Sequence, residues 1–217
     1  AVARFTQSVG LSQRRSSVPT MQKLINHPSN AAVESLEGFE LTYAKFLRVH
    51  YSPHFVYRND APVAGKVAII SGSGSGHEPL NIGYVGRGML DAACPGKIFT
   101  SPTPDQYVAA THAVHGGAGA LYVIKNYTGG RLNMEMAIEM AQEDGIEITS
   151  VLINDDVAVD KNINRRGMGA AVIVEKIAGA AAEQGQSLAQ VTALAHRAST
   201  QARSMGVALT SCTSPNL

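Results

Sequence analysis

The sequence predicts an α/β fold, with a mostly parallel sheet that is flanked by helices and built from repeated βα units. Short apolar segments rich in β-branched residues, at 67–71, 120–125 and 146–153, have the pattern of buried strands. Segments with apolar residues at helical spacing follow each of them along the chain. Strands that alternate with helices of ten or more residues favour right-handed crossovers and a parallel sheet.

The remaining elements follow from local signals. Helical spacing predicts four helices, which are, in chain order, 31–39, 105–115, 133–142 and 169–183. Ser29-Asn30 is a capping signal for the first of them, and Ser187 is a favourable N-cap for a fifth helix that runs to Met205. The segment 55–58 is typical of a short strand, and 207–210 predicts a last strand.

Composition excludes several classes of protein. Of 217 residues, 45% are hydrophobic and 16% are charged, which is enough apolar material for a core and unlike a disordered chain. A net charge of +1 does not indicate nucleic acid or an acidic surface as a partner. No apolar run approaches the roughly 18 residues of a membrane span. Cys94 and Cys212 lack metal-ligand spacing, so we expect a soluble, cytoplasmic protein with reduced thiols.

The first 20 residues differ from the rest of the chain. They contain no acidic residue, carry three arginines and are rich in Ser, Thr and Gln. That composition resembles an organellar transit peptide. A leader or extension that is not part of the fold is the alternative we favour, because a better patterned segment begins at Met21. We therefore expect residues 1–20 to be disordered and exclude them from the prediction of the fold.

Three loops follow the predicted strands at one edge of the sheet. They are 71–79, 126–130 and 154–157. In open α/β sheets, ligands bind outside the carboxyl ends of the strands. The convergence of three such loops predicts a pocket at this edge.

The loop that follows the first strong strand reads SGSGSGHEP over 71–79. Its alternating glycines allow backbone N–H groups to turn toward a ligand. It is not a P-loop, because no Gly-Lys-Ser/Thr follows, and its spacing differs from Gly-x-Gly-x-x-Gly. A flexible linker is the alternative, although the position after a buried strand argues against it. His77 could bind a hydroxyl or act as a general base, or it could be a capping or surface histidine.

Eight segments carry a resemblance to a known family. They are Gly74-Ser75-Gly76-His77-Glu78-Pro79, Gly88-Met89-Leu90, Phe99-Thr100-Ser101-Pro102, Ile124-Lys125-Asn126-Tyr127-Thr128-Gly129, Asp155-Asp156-Val157-Ala158-Val159, Arg165-Arg166-Gly167, Glu175-Lys176-Ile177-Ala178-Gly179-Ala180 and Gly206-Val207-Ala208-Leu209 with Cys212. In this order they resemble the dihydroxyacetone kinase family, and the resemblance covers nearly all of 21–215. Within the family, the chain is similar to the homodimeric, dihydroxyacetone-binding subunit of the phosphotransferase-dependent kinases, and it looks shortened relative to that subunit.

The resemblance implies a fold, an activity and a set of site residues. Members bind dihydroxyacetone (glycerone) and transfer a phosphoryl group to its hydroxyl, as a step of glycerol metabolism. Gly74, Ser75, Gly76 and His77 match the substrate pocket, with His77 in the catalytic role, and Lys125 matches a lysine that contacts the substrate.

The resemblance also implies partners and domain boundaries. The phosphoryl donor is ATP with Mg, or a phosphorylated subunit that carries ADP, and it belongs to another domain or subunit. We therefore expect no cofactor and no metal on this chain. By the same resemblance, 21–185 is the α/β substrate-binding domain, and 186–217 is the incomplete start of the second family domain.

Two departures from the family pattern concern catalysis directly. Where the family has an aspartate that serves as acid/base, this chain has Gly130. Loss of a general base typically costs about 10²–10⁴ in rate, which His77 or Asp155 could partly offset. The family's covalent histidine lies roughly 20 residues beyond Leu217. The chain is therefore either a fragment of a longer kinase subunit or a non-catalytic, ketose-binding regulator or coactivator of the same fold.

Two charged pairs near the third loop leave alternatives open. Asp155 and Asp156 could bind magnesium, but paired acids at a strand end more often cap the next turn. Arg165 and Arg166 could contact phosphate or the phosphoryl-donor subunit, or they could lie in a solvated loop.

Overall fold

The computed structural model describes residues 24–160 and 164–215. Its strands are β1 (Leu47–Tyr51), β2 (His54–Arg58), β3 (Ala68–Ser75), β4 (Ala92–Ile98), β5 (Ala120–Lys125) and β6 (Ile148–Ile153). Its helices are α1 (Ala31–Tyr43), α2 (Pro104–Val114), α3 (Thr128–Glu143), α4 (Ala170–Glu183) and α5 (Leu188–Gln201), with short 3-10 helices at Pro28–Asn30 and Ile82–Tyr84. Within these ranges, no helix is long and apolar enough to cross a membrane. The segment 1–20, predicted as a leader or extension, lies outside the described residues.

The strands form one sheet in the order β1-β2-β4-β3-β5-β6. The pairings β4 with β3, β3 with β5 and β5 with β6 are parallel, and the pairings of β2 with β1 and with β4 are antiparallel. The crossovers from β4 to β5 and from β5 to β6 run through α2 and α3. The fold class predicted from the sequence is confirmed.

The core has two layers because side chains alternate between the faces of the sheet. Ile69, Leu121 and Val123 face one layer, which α1, α4 and α5 cover with residues such as Leu36, Val174 and Val191. The alternating residues Ile70, Tyr122 and Ile124 face the other layer, which α2 and α3 cover with Tyr107 and Met134. The α5 residues therefore share a core with α4. The domain boundary expected after residue 185 stays a prediction.

The sequence did not indicate β1 or β4. Strand β1 is mostly exposed at the edge of the sheet, so it lacks an apolar run. Strand β4, with the sequence AACPGKI, contains a proline and a glycine, which are both unfavourable in strands. It nevertheless forms because it pairs with β3 from Ile70–Ala92 to Ser75–Ile98, at a central position in the sheet. Pairing between distant segments here overrides local propensity.

The predicted last strand at 207–210 is wrong. These residues have no strand assignment, and Val207 and Leu209 are 83% and 97% exposed. Helix α5 ends at Gln201, because Ala202 takes an extended conformation. Ser204 then forms one isolated bridge with Asp156, and residues 207–210 pair with no strand in the described part of the chain. A strand without a neighbour has no partners for its backbone groups.

Helix α3 also begins earlier than predicted. Its first turn starts at Thr128, so Gly129 and Gly130 belong to the helix and not to the loop after β5. Glycine has a low helix propensity, so the local sequence pattern did not predict that the helix includes Gly129 and Gly130. The shift matters for the site because it places Gly130 at a helix N-terminus.

A buried charge network lies at the opposite end of the sheet from the predicted pocket. The Asp91 carboxylate, directly before β4, accepts hydrogen bonds from Arg58 (3.0 Å), from Lys66 (2.6 Å) and from the backbone N–H of Ile69 (2.8 Å). Arg58 also donates to Glu183 of α4 at 2.9 Å. The side chains of Arg58 and Asp91 are 3% and 4% exposed. The network therefore joins β2, β3, β4 and α4 at their buried ends.

Removing the charge of Asp91 should destabilise the protein strongly. Asp91→Asn leaves two buried cations short of their shared anion, for which we expect a loss of about 3–5 kcal/mol in the free energy of unfolding. Urea denaturation measures this. The matched control is Asp144→Asn. The Asp144 side chain is 53% exposed and lies 2.9 Å from His112, so its loss should change the free energy of unfolding by less than about 1 kcal/mol. Equal losses in the two variants would contradict the role of the network.

Candidate functional site

A cavity of about 340 Å³ lies at the carboxyl edge of the parallel strands. Its walls come from four segments, which lie within 72–80, 99–102, 125–134 and 167–169. The first and third segments include residues of two of the loops predicted to converge. The third predicted loop, 154–157, does not line the cavity, because 167–169 lies in that place. The predicted convergence is therefore correct for two loops and wrong for the third.

His77 stands at the rim of this cavity, with its ring held by two contacts. Its Nδ1 lies 2.8 Å from the carbonyl oxygen of Gly74. A carbonyl only accepts hydrogen bonds, so Nδ1 carries the proton and Nε2 is the acceptor of the neutral ring. The ring also meets Phe99 edge-on, with 5.2 Å between the centroids. This orientation suits a histidine that accepts a proton from a ligand hydroxyl.

The glycines of the predicted loop have separate structural tasks. A Cβ on Gly74 would lie 2.5 Å from the backbone nitrogen of Thr100, so only glycine allows this contact between β3 and the loop after β4. Ser75 is buried, and its hydroxyl donates to the carbonyl of Gly96 at 2.6 Å. Gly76 has a φ of +97° at the turn before His77. Of the predicted site residues in this loop, Gly74 and His77 line the cavity, whereas Ser75 and Gly76 do not.

Lys125, the last residue of β5, forms another part of the wall. Its Nζ donates to Asn81 Oδ1 at 2.8 Å and lies 3.4 Å from the carbonyl oxygen of Gly72. Burial lowers the pKa of Lys125 to about 8, although the carboxylate of Glu175 acts in the opposite direction. An ammonium in this position can donate hydrogen bonds to the oxygens of a small ligand.

Glu175 lies behind Lys125, within α4. Its Oε1 accepts a 2.8 Å hydrogen bond from the amide of Asn81, and its Oε2 has no hydrogen-bond partner among the described residues. Burial raises the pKa of Glu175 to about 7, while the charge of Lys125 opposes the rise. The sequence reasoning did not select Asn81 or Glu175 as site residues. A single acid among the alanines of 170–183 was the available signal for Glu175.

Gly130 lines the cavity from the first turn of α3. A Cβ there would lie 3.6 Å from Ser101 Oγ, which is an ordinary van der Waals contact, so a side chain has room. The described residues place no carboxylate among the groups that line this cavity. The wall at Gly130 therefore has open space beside it but carries no carboxylate.

Asp155 caps α4 and does not reach the cavity. Its carboxylate accepts hydrogen bonds from the backbone N–H groups of Met168 (2.7 Å) and Ala170 (2.9 Å) and from the hydroxyl of Ser204. Burial works to raise the pKa of Asp155, but these bonds together hold it below its usual value. A carboxylate so engaged is a poor proton acceptor, so Asp155 does not offset the missing base at Gly130.

The neighbouring charged side chains also have structural partners. Asp156 accepts a bond from Arg166 at 3.2 Å and one from the backbone N–H of Ala158 at 3.1 Å. Arg165 donates to the carbonyl of Val159 at 3.0 Å. In the described part of the chain, no group of three or more His, Cys, Asp or Glu side chains could hold a metal ion. Asp155 and Asp156 both accept hydrogen bonds from backbone N–H groups, as the capping alternative predicts.

Gly167 brings the last segment of the wall against the strand ends. A Cβ there would lie 2.4 Å from the carbonyl oxygen of Ile153 and 3.0 Å from both Asn126 N and Lys125 Cα. The amide of Asn126 holds the same segment by donating to the carbonyl of Arg165 at 2.8 Å. Sequence reasoning missed this role of Gly167, because the close contact joins segments that are far apart in the chain.

Residues 37–217 match the family model described as the Dak1 domain. The chain belongs to the Dak1 domain family. It is 48% identical over 198 residues to the PEP-dependent dihydroxyacetone kinase, dihydroxyacetone-binding subunit, of Escherichia coli K12, which covers 90% of this chain. The chain spans 55% of the length of that curated relative.

Two solved structures are similar to this member of the Dak1 domain family. The dihydroxyacetone kinase of C. freundii superimposes with a TM-score of 0.78 at 37% identity, over 82% of this chain and 34% of that one. That kinase has also been crystallised with AMP-PNP and Mg²⁺. A dihydroxyacetone kinase operon co-activator superimposes with a TM-score of 0.70 at 33% identity, over 78% of this chain and 52% of that one. The same fold therefore occurs in proteins with a kinase name and with a co-activator name.

Adding one methyl group at Gly167 should disturb the cavity. We expect Gly167→Ala to lower the free energy of unfolding by about 1–3 kcal/mol, because the backbone atoms that the Cβ would meet have no room to retreat. Thermal or urea denaturation measures the change.

Gly169→Ala is the matched control for this experiment. Gly169 lines the same cavity, its φ is −64°, and nothing lies within 4 Å of a Cβ placed there. This variant should stay within about 1 kcal/mol of the wild type. If Gly167→Ala were as stable as Gly169→Ala, the close contact would not constrain the wall.

Proposed function

We propose that this chain binds dihydroxyacetone in the cavity at the carboxyl edge of the sheet, for phosphoryl transfer to the ketose hydroxyl. The observation that carries the proposal is the presence of His77 and Lys125 on the walls of one cavity of about 340 Å³. Both residues were selected from the sequence as site residues of a dihydroxyacetone kinase. The 48% identity to the dihydroxyacetone-binding subunit of the Escherichia coli kinase supports dihydroxyacetone as the ligand.

The chemistry of these two side chains suits a small ketose. Dihydroxyacetone carries a carbonyl between two hydroxyl groups, so its site needs hydrogen-bond donors and at least one proton acceptor. The Lys125 ammonium, which is charged below its pKa of about 8, donates to ligand oxygens. Nε2 of His77 accepts the proton of a hydroxyl as that oxygen attacks phosphorus. Phosphoryl transfer depends on positioning and charge more than on covalent catalysis by the protein.

The glycines contribute shape to this proposed site. Gly72 and Gly74 line the cavity, and the absence of a Cβ lets the Tyr107 side chain pack closely against Gly72 and the loop after β4 pack closely against Gly74. Ser75 and Gly76 act indirectly, since the hydroxyl of Ser75 anchors the strand end and Gly76 makes the turn that presents His77.

We further propose that the phosphoryl donor lies on a separate subunit or domain. The Escherichia coli relative is one subunit of a PEP-dependent kinase. The C. freundii chain, of which this chain covers 34%, was crystallised with AMP-PNP and Mg²⁺. We also propose that the chain forms a homodimer and that it acts in the cytoplasm.

A ketose-binding co-activator is the second candidate function. Gly130 supports it, because the cavity can hold a ligand there and yet lacks the carboxylate that the family resemblance implies. The similarity to a dihydroxyacetone kinase operon co-activator also supports it. Ligand binding is common to both candidates, and only the transfer step separates them.

Removing the imidazole of His77 should weaken ketose binding. We expect His77→Ala to lower the affinity for dihydroxyacetone by at least about tenfold, or ~1.4 kcal/mol, because the ligand loses a hydrogen-bond partner at the rim. Isothermal titration calorimetry measures the affinity. His112→Ala is the matched control, since His112 is exposed and contacts Asp144 away from the cavity. An affinity for His77→Ala equal to that of the control would remove His77 from the binding site.

Restoring a carboxylate at Gly130 should separate the two candidate functions. Gly130→Asp supplies the missing base, and we expect phosphoryl transfer to rise by about 10²–10⁴ in the presence of the donor subunit. Gly130→Asn is the control, because asparagine has nearly the same shape as aspartate but its amide does not act as a base. Equal rates for the two variants would show that a base at 130 is not what limits transfer. Ketose binding without transfer in every variant would favour the co-activator.

A further inference from the structure

Among the residues that the structure describes, no acid forms a direct ion pair with Lys125. Asn81, in the segment after β3, lies between the lysine and Glu175 of α4. Its Oδ1 accepts from the Lys125 ammonium at 2.8 Å, and its Nδ2 donates to Glu175 Oε1 at 2.8 Å. The same Nδ2 also lies 2.8 Å from Ser71 Oγ, whose own hydroxyl donates to the carbonyl of Val123 at 2.9 Å. The amide therefore has one possible orientation, with its oxygen toward the ammonium.

Neither Asn81 nor Glu175 lines the cavity. Asn81 is 2% exposed and Glu175 is 0% exposed, so both lie behind the wall that Lys125 forms. Burying a carboxylate is costly unless a charge or hydrogen bonds compensate it. Here, in the part of the chain that the structure describes, Oε2 of Glu175 has no hydrogen-bond partner. A buried carboxylate with only one hydrogen-bonded oxygen lowers the stability of the fold, so packing alone does not account for an acid at this position.

The Glu175 carboxylate stabilises the positive charge of Lys125. The two groups influence each other electrostatically, each favouring the ionised form of the other. Among the described residues, the other titratable side chains on the cavity walls are His77 and Tyr127, and none of the residues that line the cavity is an acid. The α3 residues that line the cavity, Gly130 and Met134, carry no charge. Glu175 is therefore the anion that supports the ammonium.

We propose that Asn81 and Glu175 are positioning residues for Lys125, which hold its ammonium charged and directed along the cavity wall and so determine how strongly the cavity binds a ligand rich in oxygen. The proposal rests on the proposed ketose-binding function and specifies how one of its contacts is made. Asn81 supplies the direction, because it fixes the end of a side chain with four rotatable bonds. Glu175 supplies the charge.

The pH dependence of binding follows from this arrangement. Lys125 is charged below its pKa of about 8, so the affinity that depends on it is present at lower pH and is lost as pH rises through that value. Glu175 raises that pKa, so removal of its charge moves the loss of affinity to lower pH. Since burial raises the pKa of Glu175 to about 7, both groups are ionised between about pH 7 and pH 8.

The test compares Glu175→Gln with the wild type and with Glu139→Gln, which removes an exposed carboxylate from α3. Calorimetry with dihydroxyacetone from pH 6 to pH 9 gives the midpoint at which affinity is lost. NMR titration of labelled lysine Nζ gives the ionisation of Lys125 directly. For Glu175→Gln we expect both midpoints to fall by about one pH unit or more, which lowers the affinity at pH 8 by about fivefold. Glu139→Gln should behave as the wild type.

Two results would overturn the role of Glu175. One is a midpoint of Glu175→Gln that equals the wild-type midpoint. The other is a loss of affinity that is the same at every pH, with an unchanged Nζ titration, because that would show a merely structural effect. Failure of the proposed function looks different. The wild type would then not bind dihydroxyacetone, while the Nζ titration would still decide whether Glu175 supports the charge of Lys125.

A second variant and a variant-free measurement complete the test. Asn81→Ala keeps both charges and removes the directing acceptor, so affinity should fall at every pH, while the Nζ midpoint moves less than in Glu175→Gln. Wild-type affinity in Asn81→Ala would remove Asn81 from the proposal. If Glu175→Gln does not fold, the wild type alone decides, since the Nζ signal of Lys125 should respond as the Glu175 carboxyl ionises near pH 7. An Nζ signal that is insensitive there would overturn the proposal.

Discussion

The cavity depends on two contacts at which backbone segments approach each other too closely for any side chain. At Gly74, a Cβ would lie 2.5 Å from Thr100 N, and at Gly167 it would lie 2.4 Å from the carbonyl oxygen of Ile153. The first contact brings the loop after β4 beside His77. The second places 167–169 against the end of β5, where Lys125 lies. Glycine costs more conformational entropy on folding than other residues, so this wall is formed at some expense of stability.

Buried charges lie at both ends of the sheet, but they are balanced differently. Around Asp91, each carboxylate oxygen accepts from a cation, and one also accepts from a backbone N–H. Around Lys125, the Asn81 amide links the ammonium to Glu175, and one carboxylate oxygen of Glu175 has no hydrogen-bond partner within residues 24–160 and 164–215. The first arrangement suits stability. The second leaves the ammonium available to a ligand and keeps its pKa near 8, which suits binding.

Under the proposed function, ligand binding and phosphoryl transfer would require different groups in this cavity. A ketose can be held by the Lys125 ammonium, by Nε2 of His77 and by the backbone beside Gly74. Transfer also needs a proton acceptor near the attacking hydroxyl, for which Nε2 of His77 is available, whereas the wall at Gly130 carries no carboxylate. The open space at Gly130 shows that a small substitution decides whether this wall carries a base, with no change of fold. A kinase subunit and a co-activator could therefore share one cavity and differ in a few side chains.

Local pattern in the sequence determined the fold class, most of the helices, the strands β3, β5 and β6, and the placement of His77 and Lys125 at one sheet edge. These follow from residue periodicity and from the rule for parallel sheets, which need only neighbours in the chain. Only the tertiary structure decided that AACPGKI forms a central strand, that 207–210 forms none, and that Asn81 meets Glu175 across 94 positions. Each of these depends on contacts between segments that are distant in the chain, and local sequence patterns do not predict the free energy of such contacts.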